Sequence, residues 1–377
     1  MIHSSECYRG ECPGSEQPGI YDLDAYNYEL PKSLIAQTPA VPRDAARLLV
    51  WSVSGGIEHR VFSDVADFLK PGDLLVLNDT RVLPARLRGF RAADTGEGGK
   101  VELLLLRPVS CAFNLWKALV RPGRRLNVGS GVAVGGRVLT IVGEEEGVKI
   151  VQVGTDREDV LSFLDEHGTM PLPPYIKNAD PLLARREYQT VFALRDGSAA
   201  APTAGLHFTE ELLRRVKERG IEVANITLHV GLGTFRPVMS SNIRQHHIHS
   251  EYCEVPYATE AAVRVCRARG GRVIAVGTTV VRTLESMAAE DGTVRPGVMD
   301  TSLFIYPGFP YKVVDVLITN FHLPKSSLLM LVSAFVNHLK GGRIEKSALD
   351  SLRKVYSLAI SRKYRFFSFG DAMFIEK

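Results

Sequence analysis

The residues Gly197 to Thr209, GSAAAPTAGLHFT, are of the types from which a ligand loop is made. Ala199, Ala200 and Ala201 have almost no side chain to bury, and Pro202 and Gly205 fix two special backbone conformations, so a ligand or a second backbone can come close. His207 stands just before Thr209, which is suited to cap a helix whose first turn carries Glu210 and Glu211. Two more histidines stand where apolar runs end in polar residues. His229 closes the run Ile221 to Val230 ahead of Gly231, Gly233 and Thr234, and His322 follows Val313 to Ile318 and Thr319, Asn320 and Phe321. The run Arg272 to Val276 empties in the same way into Gly277, Thr278 and Thr279. The group His246, His247, His249 and Glu251 has the residue types of a metal site. Adjacent histidines on an extended segment point to opposite faces, however, and His247 with His249 would need further ligands, so hydrogen-bonding histidines and no metal are expected.

These residues need a frame. In open α/β sheets ligands bind beyond the carboxyl ends of the strands, so the three strand-end loops and the Gly197 to Thr209 loop are expected to surround one pocket. Thr279 can open a helix with Val280, Val281, Leu284 and Met287 inward, leaving Arg282 and Glu285 three apart and able to pair. Ser326 or Ser327 opens SLLMLVSAFVNHL, which is apolar all round and suited to burial. The texture changes from Pro71 to about Gly154, where short β-rich runs alternate with Gly, Pro, Asn and Asp turns, the pattern of a small β-barrel or sandwich. The expected fold class is therefore α/β, with a main α/β domain over 20–70 and 155–377, an inserted β-barrel domain over 71–154, and a flexible tail over 1–19. Inside NDTRVLPARLRG, Asn78 and Asp79 form a polar turn, and Arg81, Arg86 and Arg88 follow, the last two on one strand face. The proline-rich MPLPPYIK, residues 170–177, is extended and carries Tyr175.

Composition sets outer limits. A chain of 377 residues, 45% apolar and 23% charged, suits a soluble globular protein with two cores. No apolar run approaches the roughly 20 residues that cross a bilayer, and the polar N-terminus has no apolar segment of signal-peptide length, so a cytosolic protein without a membrane partner is expected. Cys7, Cys12, Cys111, Cys253 and Cys266 are scattered without a CxxC pair and read as free thiols. The net charge of +4 allows a nucleic-acid partner without requiring one. There is no GxGxxG after a strand, no P-loop and no HExxH.

The strings YELPKSLIAQTP, PGDLLVLNDTRVLPARL, MPLPPYIK, YQTVF with GSAAAPTAGLHFT, ITLHVGLGTFRPV, HSEYCEVP, RVIAVGTTVVRTLES, TNFHLPKSSLLMLVSAF and YRFFSFGDAM run in this order from about Tyr21 to Met373. They closely resemble the S-adenosylmethionine:tRNA ribosyltransferase-isomerases of queuosine biosynthesis. The departures are Ser327 where threonine is usual, Asn178 where arginine is common after the lysine, and the N-terminal tail. The resemblance implies an α/β domain interrupted by a β-barrel. It also implies a transferase that moves the ribosyl part of S-adenosylmethionine onto the 7-aminomethyl-7-deazaguanine wobble base of tRNA. The ribosyl rearranges to the epoxycyclopentane of epoxyqueuosine, and adenine and methionine leave.

On that resemblance S-adenosylmethionine is a cosubstrate, no cofactor or metal is needed, and the partner is a tRNA anticodon loop; the oligomeric state stays open, a monomer being one option. The chemistry requires a base for a C5′ proton acidified by the sulfonium, an acid for adenine departure, and fixed donors for a developing alkoxide. The catalytic candidates are then His207, His229 and His322, with Glu251 beside His249 as a further pair. The S-adenosylmethionine candidates are Ser198, Thr203 and Gly205 on the small-residue loop, Gly277, Thr278, Arg282 and Glu285 on the next, and Asn320. Asp79, Arg81, Arg86, Arg88 and Tyr175 are the tRNA candidates. Two other classes stay in view. An S-adenosylmethionine-dependent tRNA methyltransferase would normally show a glycine-rich loop after its first strand, and a tRNA-binding protein without catalysis would leave the histidine-bearing loops unexplained.

Overall fold

The computed structural model of the protein describes residues 19–93, 96–109, 112–145, 147–177, 180–231, 238–344 and 346–377. Residues 1–18 of the expected tail, together with Cys7, Cys12, Cys111, Asn178, Gly233 and Thr234, lie outside the described residues. The strands are β1 (Arg47–Ser52), β2 (Gly56–Val61), β3 (Leu74–Asn78), β4 (Thr80–Val82), β5 (Arg86–Ala93), β6 (Gly96–Pro108), β7 (Leu115–Arg121), β8 (Gly131–Val134), β9 (Arg137–Glu145), β10 (Val148–Gln152), β11 (Arg195–Ser198), β12 (Glu222–Leu228), β13 (Glu251–Val255), β14 (Val273–Val276), β15 (Gly297–Thr301), β16 (Val316–Asn320) and β17 (Ala372–Glu376). The helices are α1 (Arg157–His167), α2 (Pro181–Glu187), α3 (Glu210–Glu218), α4 (Tyr257–Ala268), α5 (Thr278–Ser286), α6 (Ser327–Leu339) and α7 (Lys346–Ser361).

One nine-stranded sheet, ordered β15-β13-β12-β3-β14-β16-β17-β1-β2, carries the α/β part. Its centre, β12-β3-β14-β16, is parallel throughout. Every residue of β3, β14 and β16 is buried, which explains their unbroken apolar runs: helices cover both faces, so the strands have no polar side to alternate with. The α4, α5, α6 and α7 side chains fill one face, where Val263, Leu284, Phe335 and Tyr356 share a core. Leu212 and Val216 of α3, with Phe62 and Phe208, fill the other. Antiparallel strands finish the sheet, β13 and β15 on one edge and β2 on the other.

Between β3 and the rest of that sheet the chain builds a closed six-stranded barrel, β10-β7-β6-β5-β8-β9, from Arg86 to Gln152. Trp116, Leu103 and Ile141 fill its interior, and α1 plugs one end with Val160, Phe163 and Leu164. Gly89 marks a close crossing inside it, since a Cβ there would stand 2.0 Å from the Ala133 carbonyl oxygen. The β-rich texture expected from Pro71 onward includes β3, which belongs to the large sheet instead. Its run LLVL is apolar on both faces and can be buried only between two layers. The barrel meets the sheet through the short parallel pair β4–β11 and through two ion pairs, Arg107 to Asp300 and Arg157 to Asp196, each 2.8 Å. Among the described residues no helix is long and apolar enough to cross a membrane. Cys253 and Cys266 are buried free thiols.

The amino edge of the sheet is locked by Arg272. Its guanidinium donates to buried Asp73 at 2.6 Å, to Glu376 at 2.6 Å and to the Phe68 carbonyl at 2.8 Å, joining β3, β14 and β17. Arg272→Ala leaves the Asp73 carboxylate buried without its cation, a loss of roughly 3 kcal/mol. Denaturant titration should show that drop.

Candidate active site

Beyond the carboxyl end of β14 the chain places small residues, Gly277, Thr278 and Thr279. Gly277, at φ +93°, turns β14 sharply into α5. The Gly197 to Thr209 loop lies across this end, pinned by Ser198, whose Oγ donates to the Ala200 carbonyl at 2.7 Å and accepts from the Val230 amide at 3.0 Å. Thr209 caps α3 by accepting from the Leu212 amide at 3.1 Å. What remains open is a cavity of about 430 Å³, lined among others by Thr203, Gly277, Thr278, Thr279, Thr319, Asn320 and His322, with Tyr175, Phe367, Ser368 and Lys325 on the remaining walls. That volume lies within the range of roughly 300–1,000 Å³ that small-molecule sites occupy. A second hollow of about 740 Å³ rests on residues of α1 alone, from Arg157 to Glu166, and gathers no groups from other elements, so it is not taken as the site.

Of the three candidate histidines only His322 reaches the cavity wall. Its Nε2 shares a hydrogen bond with the Thr319 hydroxyl at 2.9 Å, and its backbone is held by the Tyr28 and Tyr356 hydroxyls. His207 lies beneath the wall, its ring on Phe62 at 4.9 Å. The Asn320 amide donates to His207 Nε2 at 3.1 Å and accepts from the Thr203 hydroxyl at 3.1 Å, so His207 fixes the orientation of Asn320, which does face the cavity. His229 sits one step aside, half-buried, bonded through Nδ1 to the Thr80 hydroxyl at 2.8 Å and stacked on Tyr252 at 5.2 Å. Gly197 gives it room, since a Cβ there would approach His229 Nε2 to 2.8 Å. Burial lowers all three imidazoles from the ordinary 6.5, His207 and His322 to about 3 and His229 to about 4, with nearby arginines adding to the effect at His207 and His229. They are neutral at pH 7, able to accept a hydrogen bond or a proton there and holding none to spare.

The remaining candidates separate by location. Thr203, Gly277, Thr278 and Asn320 line the cavity, while Ser198 and Gly205 shape the loop behind it. Arg282 and Glu285 do not pair with each other. Arg282 forms a buried ion pair with Glu251, whose other oxygen accepts from the Gly231 amide at 2.8 Å, and Glu285 accepts from the backbone amides of Lys312, Val313 and Val314 at 2.9–3.0 Å. Burial raises the Glu285 carboxyl above its usual range. None of Glu251, Arg282 and Glu285 lines the cavity; each ties a loop to α5. His246 rests edge-on against Phe304.

Of the residues expected to meet tRNA, Asp79 is buried and accepts from the Thr227 hydroxyl at 2.7 Å. Arg81 is exposed and lies 3.8 Å from Asp196. Arg86 donates to the Leu172 carbonyl at 3.1 Å and joins the barrel to the proline-rich stretch, whereas Arg88 stands free on the barrel surface apart from Glu102 at 3.4 Å. Tyr175 is a cavity wall, its hydroxyl 2.6 Å from Ser368 Oγ. Sequence reasoning passed over Phe367, Ser368 and Lys325. YRFFSFGDAM carries only the family resemblance, the serines after Lys325 read as a helix start, and only the fold brings these residues to the pocket.

The chain matches the family described as queuosine biosynthesis protein over residues 23–375. It is 50% identical to the S-adenosylmethionine:tRNA ribosyltransferase-isomerase of Moorella thermoacetica over 361 residues, covering 94% of this chain and 99% of the relative. It is 48% identical to the protein of that name from Thermosynechococcus vestitus, with 95% and 97% covered. The crystal structure of an S-adenosylmethionine tRNA ribosyltransferase from Thermotoga maritima superposes with a TM-score of 0.51 at 37% identity, covering 93% of this chain and 99% of that one.

The histidine environments set a pH dependence. Below about pH 6.5 the unfolded chain takes up protons on these imidazoles that the folded chain refuses until about pH 3 to 4, so their contribution to stability is intact above the ordinary histidine range and is lost as pH falls through it. Ring NMR signals of His207 and His322 should keep neutral-form shifts down to about pH 4. A midpoint near 6.5 for either would show it to be solvated.

Proposed function

The chain belongs to the queuosine biosynthesis protein family, and on that premise we propose that its cavity binds S-adenosylmethionine and presents the ribosyl group to the 7-aminomethyl-7-deazaguanine base of a tRNA anticodon loop. The observation that carries this reading is a nucleoside-sized cavity at the carboxyl ends of four parallel strands, with one histidine on its wall among the described residues. The amine of the deazaguanine bonds to ribosyl C1′, C1′ joins C5′ to close the carbocycle, and the ring oxygen leaves C1′ to bridge C4′ and C5′ as the epoxide, while the C1′–adenine and C5′–sulfonium bonds break and adenine, methionine and one proton are released.

His322 is assigned the removal of the C5′ proton, because it is neutral and borders the cavity. The sulfonium supplies the acidity that a weakly basic imidazole needs, and its positive charge would be relieved as the proton leaves. Asn320, oriented by His207 and Thr203, and the amino end of α5 at Thr278 are the fixed donors for developing negative charge. The Lys325 ammonium and the Tyr175 hydroxyl, whose pKa burial pushes up to about 12, are the proton-bearing groups on the wall where adenine would depart. The barrel acts as a separate domain, and its Arg88, together with Arg81 on β4, offers exposed cations for the RNA backbone.

Incubation with S-adenosylmethionine and deazaguanine-bearing tRNA should release adenine and methionine together, each in step with modified tRNA. Formation of S-adenosylhomocysteine would show a methyltransferase, and binding without turnover a carrier. His322→Ala should lower turnover about 10²- to 10⁴-fold, the range expected for a lost proton-transfer group, with a much smaller change in tRNA affinity.

A further inference from the structure

The cavity has two unlike kinds of lining. Thr203, Thr278, Thr279 and Asn320 offer polar groups, whereas Tyr175 and Phe367 meet with ring centroids 4.5 Å apart and planes inclined by 44°. That inclination leaves a corner with two aromatic sides. Phe367 is held there at φ +73°, a conformation that a bulky side chain avoids and that the surrounding structure must enforce. The enforcement is visible: the Phe367 amide donates to the Phe321 carbonyl at 3.1 Å, and the Phe367 carbonyl accepts from the Gly370 amide at 2.9 Å. Gly370 has no room for a side chain, since a Cβ would lie 2.5 Å from the Phe366 carbonyl carbon. A turn of this kind spends conformational freedom to aim one ring. At the edge of the corner the Tyr175 and Ser368 hydroxyls share a hydrogen bond of 2.6 Å, which leaves them one further proton to donate and lone pairs to accept.

The geometry points to the Tyr175–Phe367 corner as the nucleobase end of the cavity: the adenine ring of S-adenosylmethionine packs on Phe367 with its polar edge toward the Tyr175 and Ser368 hydroxyls, and the methionyl end extends toward Thr278 at the start of α5. This rests on the proposed function for the identity of the ligand. The corner itself recognises a flat heteroaromatic ring carrying donors and acceptors on its rim, and the hydroxyl pair is positioned to stay with the adenine as its bond to the ribose breaks. Phe367 is thus a specificity determinant that moves no proton, while Tyr175 shapes the same corner and keeps its hydroxyl on the adenine rim.

Calorimetric titrations with S-adenosylmethionine and, separately, with adenosine test the assignment. Phe367→Ala and Phe367→Leu should weaken both ligands about tenfold, equivalent to about 1.4 kcal/mol and within what base–aromatic stacking supplies, and Phe367→Tyr should restore them. Thr278→Val, in the polar lining, should weaken S-adenosylmethionine while sparing adenosine. Should Phe367→Ala fail to fold, the leucine and tyrosine variants decide. Adenosine bound as tightly by Phe367→Leu as by the unaltered protein, or not bound by the unaltered protein at all, overturns the inference. Failure of the unaltered enzyme to release adenine and methionine from tRNA reactions would instead overturn the functional reading, so the two are told apart.

Discussion

Four parallel strands must end in register around a space that no side chain fills, and the buried amide of Asn78 is what holds that edge together. Its Nδ2 donates to the Leu228 carbonyl at 3.0 Å and to the Thr279 hydroxyl at 3.2 Å, and its Oδ1 accepts from the amides of Leu228 at 3.0 Å and Thr80 at 3.1 Å. One side chain therefore joins the end of β3 to the end of β12, to the first turn of α5 and to the start of β4. All four of those bonds are made in the dry interior, where an unmade one is costly, so the edge tolerates little displacement. Thr80 passes this order to His229, and Thr279 passes it to the cavity wall.

The same dryness governs the charges. The two charged groups of α5, neither of which lines the cavity, have partners of fixed geometry. Arg282 meets Glu251, and Glu285 meets three backbone amides in a row. The groups that do face it are mostly neutral: threonine hydroxyls, the Asn320 amide and an imidazole that burial keeps unprotonated. Such a lining, mostly neutral and with its dipoles already oriented, suits the proposed sulfonium ligand. Lys325 is the exception on the wall, and the Asp24 carboxylate answers it from outside. Removing one member of the Arg282–Glu251 pair would leave the other charge stranded, so those two residues affect the site through the loops they hold rather than through contact with a ligand.

Much of this was written in the sequence. The short β-rich runs with glycine turns announce the barrel, and VIAV announces a strand of the sheet, whereas LLVL groups with the barrel by texture although only burial between two layers suits it. The convergence of Thr203, Gly277, Thr278, Asn320 and His322 follows from the rule that ligands gather at the carboxyl ends of parallel strands. What escaped was orientation. His207 and His322 look equivalent in sequence, each two to four residues ahead of a hydroxyl that caps a helix, yet one points under the wall and the other along it. Arg282 and Glu285, three apart on one helix, invite pairing, but both turn inward to partners that are distant in the chain. Tyr175 and Phe367 are 192 residues apart in numbering, and no local pattern says that they touch.

The central claim is that S-adenosylmethionine occupies the cavity at the ends of β3, β12, β14 and β16. A crystal structure of the protein with S-adenosylmethionine bound tests it most directly. The expected density lies between Gly277–Thr279 and Phe367, within contact of Asn320 and His322. Density for the ligand anywhere else, such as on the barrel or along the exposed face of α1, would contradict the account.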